Sequence, residues 1–164
     1  MATVGSTATN AVLQMLALPT GLPYAVGAIA ERERLDLAQI GAEQVVGQQV
    51  AFEVAEKSAG ARYPAVYVYC EGVANLLKEK FRTFSGKVYM VVEVRVTSDR
   101  LEGVSRDVQA YASAVTDVLD AHRGEWAPGM YYAGGYKVDF GPIKHGGKNF
   151  LQAAKVQFEV EASM

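Results

Sequence analysis

One cysteine, Cys70, among 164 residues excludes an intrachain disulfide and points to a reducing compartment. Two histidines, His122 and His145, are too few for a zinc site without carboxylates, and no ligand-spaced motif joins them to the thiol, so no metal is expected. Charge is absent from residues 1–30. That stretch still fits neither a secretion signal nor a membrane span: it has no basic leader, Pro19, Gly21 and Pro23 interrupt it, and Thr, Ser, Asn and Gln are scattered along it. Excess basic charge is missing too. A net charge of −2 and a pI near 5.7 give no global attraction to a phosphate backbone, which argues against a dedicated nucleic-acid binder. No internal repeat or low-complexity tract is present. The length suits one domain, and 50% hydrophobic against 21% charged residues argues for a folded core rather than disorder.

What is present is patterned most clearly from Gly86 to Ala162. In Lys87–Ser98, Val88, Met90, Val92, Val94 and Val96 share one face of an extended segment, while Lys87, Tyr89, Glu93 and Arg95 fall on the other. Val104, Val108, Tyr111, Ala112, Val115, Val118 and Leu119 then recur at helical spacing and make one apolar stripe. Gly135–Gly141 and Asn149–Glu161 alternate again, separated by the turn-rich Pro142–Lys148. Ala65–Glu71 is apolar on both faces, as an interior strand or a strand at a subunit contact would be. These runs predict an α+β fold, a mostly antiparallel sheet with one main amphipathic helix on one face. The N-terminal part reads as a helix from a capping Asn10 to Leu18, a turn over Leu18–Pro23, and a second helix over Tyr24–Arg34 ending in charges. Between 49 and 56 the period does not decide between helix and strand, and strand is favoured; Gly72–Phe84 is open between a helix and an irregular connection.

Chemistry is hard to find in these residues. Gly141–Asn149 approaches a phosphate-cradling loop, but Gly147 stands where lysine is required, Asn149 replaces the hydroxyl residue, and a strand follows instead of a helix. Cys70, His145 and Asp139 include the residue types of a nucleophile, base and orienting group, yet Cys70 belongs to an apolar strand where an inert thiol is usual. Glu93 and Arg95 share a strand face, suited to cross-strand pairing. Seven tyrosines fall in or beside predicted strands; for Tyr67, Tyr69, Tyr89, Tyr131 and Tyr132, core packing and a protein interface are equally open. Trp126 either plugs the end of the helix or anchors a contact. Lys144, His145 and Lys148 either border a glycine turn or form a basic rim facing DNA or an acidic neighbour.

As strings, Tyr63–Phe84 (YPAVYVYCEGVANLLKEKFRTF), the strand after it, and Tyr132–Lys155 (YAGGYKVDFGPIKHGGKNFLQAAK) resemble the tail terminator or tail-completion (neck) proteins of tailed bacteriophages. The resemblance covers residues 60–162. It implies a small non-enzymatic subunit, without cofactor, that closes into a ring, usually a hexamer, on the head-proximal end of the tail tube. Its partners would be further copies of itself, the tube protein (with a sheath where the tail contracts), a head-completion or neck protein, and DNA in transit through the lumen, with no membrane. It would be assembled in the host bacterial cytoplasm and reside in the virion. On this reading residues 1–34 form an arm or short helices, with the apolar segment 1–30 laid on an adjoining subunit or on the tail, and 35–164 form the terminator-like domain. A neck connector or tail-tube protein is the nearest alternative; a small ligand-binding domain or enzyme is a more distant one.

Overall fold

The computed structural model describes residues 3–57, 62–146 and 149–164. Two helices lead the chain, α1 (Val4–Ala17) and α2 (Leu22–Glu33), followed by the two-residue strand β1 (Val45–Val46) and a short helix α3 (Phe52–Lys57). Long strands β2 (Ala65–Asn75) and β3 (Ser85–Ser98) form a hairpin; α4 (Leu101–Ala121) crosses over. Strands β4 (Gly124–Ala127), β5 (Met130–Tyr132), β6 (Lys137–Phe140), β7 (Lys144–Gly146) and β8 (Asn149–Ser163) complete an eight-stranded sheet. Its order is β1-β2-β3-β8-β5-β4, with β6 and β7 paired to β8 further along that strand. Among the described strands only β1 runs parallel to its neighbour. The fold is α+β.

Both strong periodicities predict their partners. Val88, Met90, Val92, Val94 and Val96 are all buried, facing helices alongside Ala154, Val156, Phe158 and Val160 of β8. The α4 stripe from Val104 to Leu119 is buried against them. On this face α1 and α4 pack on the sheet and α2 packs on α4 and α1, where one main helix was expected. Val4, Ala8, Val12, Met15 and Leu16 recur at one-turn spacing and join the same core, as do Leu22, Ala25, Val26 and Ile29 of α2. These apolar residues of the segment 1–30 therefore serve this chain's own core, while Leu18 and Tyr24 stay exposed.

Four local expectations are corrected. Asn10 lies exposed inside α1, which starts six residues earlier; the Thr7 and Thr9 hydroxyls donate to the carbonyls of Thr3 and Gly5 four residues back, so polar residues there do not break the helix. The favoured strand over 49–56 is instead α3, with strand pairing confined to β1. Helical spacing after Gly72 loses to ladder pairing: β2 continues through Asn75 opposite Gly86, and an irregular connection follows. Within the Pro142–Lys148 loop, Lys144–Gly146 pair with Asn149–Leu151 as β7. Glycine is required at 86, where a Cβ would lie 1.8 Å from the Ala74 carbonyl oxygen across the hairpin. An extra residue, Glu71, bulges from β2 between Cys70 and Gly72.

Candidate functional site

Two features leave the ordinary pattern of a packed sheet. The first is the β2–β3 connection. Asn75 ends β2 and organises the turn: its Oδ1 accepts from the backbone N–H groups of Leu77 and Ser85, and its Nδ2 donates to the Thr83 carbonyl. The far side is clasped by the last residue, whose carbonyl accepts from the N–H groups of Thr83 and Phe84 and whose N–H returns to the Phe84 carbonyl. Phe84 is fully buried at the base of this clasp. Above it the loop does the opposite of folding inward. Leu77 is 63% exposed and Phe81 wholly exposed, both at positive φ (47° and 65°), conformations that bulky side chains rarely adopt. Lys78, Lys80 and Arg82 stand between and beside them, so the tip is apolar and basic.

The second feature is on the sheet face away from α1, α2 and α4. Glu93 and Arg95, two residues apart on β3, are only 5% and 4% exposed, because Tyr67 and Tyr69 of β2, the segment Val50–Phe52 and β8 enclose them. Pairing runs along the strand as well as across it: Arg95 Nε donates to Glu93 at 2.5 Å. Glu93 also accepts from the Tyr69 hydroxyl at 3.0 Å, and Lys155 stands 3.9 Å away. The Arg95 guanidinium lies between the rings of Phe52 and Tyr67, 4.7 and 4.4 Å from their centroids, and its Nη2 donates to the Val50 carbonyl. Its Nη1 is buried without a hydrogen-bond partner. A buried donor left so costs about 1–3 kcal/mol or more for a charged group. Beside it opens a cavity of about 610 Å³, bounded by Phe52, Pro142, Lys144, Leu151 and Lys155. Burial, then the neighbouring Glu93 carboxylate, drives the Tyr69 pKa well above its ordinary 10.0, so this hydroxyl is a permanent donor.

The residues singled out in the sequence divide among these places. Tyr67, Tyr69 and Lys144 gather at the Arg95 pocket, Lys144 with its Nζ 4.9 Å above Phe52. Trp126 and Tyr132 belong to the core near the end of α4: the indole donates to the His122 carbonyl at 2.6 Å, and the two rings stack 5.0 Å apart with Phe158 beside them. This is the plug arrangement. Tyr132 is enclosed, donates to the Gly135 carbonyl, and its hydroxyl is pushed up to about 12 by burial and then by Asp120. Tyr131 is exposed, Tyr89 half-buried, and His145 meets Phe150 edge-on at an exposed strand end. Lys148 lies outside the described residues.

The thiol and imidazole named in the sequence as a possible pair do not converge. Cys70 sits in register with Met90 and Phe158, whereas His145 pairs with Phe150, eight residues along β8, about 26 Å in the strand direction. The Cys70 thiol donates instead to the Gly72 carbonyl. Among the described residues no group of three His, Cys, Asp or Glu side chains is placed to hold a metal ion. No single described helix is long and apolar enough to cross a membrane; α1 and α2 together reach the length but are bent by 51°. Sequence reasoning missed Arg95 and Phe52 as partners in one site, and the signal available was two opposite charges inside an otherwise valine-rich strand.

No family model matches the chain, and no curated protein does. Among solved structures the chain is similar to one from the virion of a native gene transfer agent (GTA) particle, with 16% identity, a TM-score of 0.51, and coverage of 95% of this chain and 94% of that one. At that identity the likeness speaks to the fold.

Proposed function

We propose that this chain is a structural, non-enzymatic virion protein, a subunit that closes into a ring at the head-proximal end of a tail tube, stops tube growth and offers a surface to the neck. The observation that carries the reading is the clasped β2–β3 loop. Hydrogen bonds from Asn75 and Met164 hold it in place while Leu77 and Phe81 remain in water, an arrangement that makes sense when another molecule covers them. A ring closed by rotation joins two different faces of each subunit, so a protruding tip needs a receiving surface elsewhere on the next copy. The shallow cleft beside Met15, Leu18 and Trp126, about 270 Å³ and rimmed by Gln14, His122 and Glu125, is of a size to take such side chains. Likeness to a chain of a GTA virion over nearly the whole length supports the setting. Six copies, a tube protein below, a neck protein above and DNA passing through complete the proposal.

Replacing Leu77 and Phe81 together by aspartate tests it. Mass photometry of the parent chain is expected to show a closed ring, and of the double variant single subunits with an unchanged circular dichroism spectrum. A ring of undiminished size in the variant would sink the assignment of the loop. Open-ended tubes of parent chain in electron micrographs would identify a tube subunit instead.

A further inference from the structure

We propose that the cavity beside Arg95 is a binding site for a carboxylate, carried on an acidic side chain of a partner polypeptide. The site is independent of the ring reading. Arg95 has five N–H donors in a planar fork, and only part of that fork is spent: Nε on Glu93, Nη2 on the Val50 carbonyl. Nη1 is buried and unpartnered in a side chain that lines the cavity, while the Phe52 and Tyr67 rings flank the guanidinium. A donor so held loses little freedom when an oxygen arrives. Lys144 and Lys155 stand at the rim, so the cavity gathers three cationic groups against the single carboxylate of Glu93. Asp139, opposite Lys155 in the ladder, is engaged by Lys137 at 3.3 Å. The surplus is positive, in a chain whose net charge is −2.

The size and shape decide the class of ligand. About 610 Å³ is far more than one ion needs and accommodates a side chain with its backbone. Glu93 on the floor repels a dianion more strongly than a monoanion, which favours a carboxylate over a phosphate. A concave site below the sheet surface also excludes the broad backbone of a duplex.

The test uses the full chain labelled with ¹⁵N, following the Arg95 Nε–Hε resonance during titration with N-acetylglutamate amide, its uncharged glutamine analogue, and inorganic phosphate. Saturable displacement by the glutamate amide, and none by the glutamine analogue, is expected. The exposed pair Lys144→Gln/Lys155→Gln is expected to weaken that binding about tenfold without changing the unfolding midpoint. Arg95→Lys, which keeps the charge but lacks the fork, is expected to abolish the glutamate-dependent shifts of neighbouring backbone amides. Absence of saturation, equal affinity in the double lysine variant, or saturation by phosphate alone would each overturn the assignment.

Discussion

Glu93 and Arg95 show what one neighbouring pair does when a sheet face is closed over it. Both charges are withdrawn from water and each holds the other, so removing one leaves the other buried and uncompensated. Glu93→Ala is therefore expected to lower stability by about 3–5 kcal/mol, read from the denaturant midpoint. The tyrosines give a pH dependence of definite sign. Burial first, then Asp107, raises the Tyr111 hydroxyl to about 12; Tyr132 is raised to about 12, and Tyr69 is raised as well. The unfolded chain thus releases these protons at lower pH than the folded one. Their stabilisation is complete below the ordinary pKa of 10.0 and is lost as pH climbs through about 12. Absorbance at the tyrosinate band is expected to rise in two stages, the later one coinciding with loss of the near-ultraviolet dichroism signal.

At the scale of elements, two glycines carry opposite predictions. Gly86→Ala drives a methyl group into the Ala74 carbonyl and is expected to destabilise by about 1–3 kcal/mol. Gly27, inside α2, has only Gln39 at 3.7 Å from the place of its Cβ; Gly27→Ala is expected to stabilise by about 0.5–1 kcal/mol. Thermal melts of both variants check the pair. Elements with a strict period and a buried face were legible in the sequence, because alternation in β3 and the stripe of α4 are demanded by the core itself. Residues 49–57 and 72–84 were not. Val46, Val50 and Val54 fit a helical period while Val50, Phe52 and Val54 fit a strand's, and the helical spacing of Val73, Leu76 and Leu77 is overridden by pairing of 72–75 with β3. The Arg95 pocket was illegible for a related reason: it is assembled from β2, β3, β7, β8, the start of α3 and two connections, and only the topology brings Phe52 and Lys144 to the same cavity as Arg95.

Across the whole molecule, the end of the chain is a fastener for a loop more than eighty positions earlier, Thr83 Oγ1 donating to the Met164 carbonyl across a separation of 81 residues. Deleting Ser163 and Met164 removes several backbone hydrogen bonds from the base of the loop and is expected to reduce its local stability by about 2–4 kcal/mol. Faster amide exchange confined to residues 76–84 would be the measured sign, and unchanged protection there would refute the fastening role. The same sheet has a weak margin elsewhere. Strand β1 covers β2 only at Val66 and Tyr67, so the outer side of β2 beyond them has no strand partner among the described residues. The Glu71 bulge kinks that margin and puts a charge on it. A stray copy therefore finds no straight template to extend, which works against runaway fibrils.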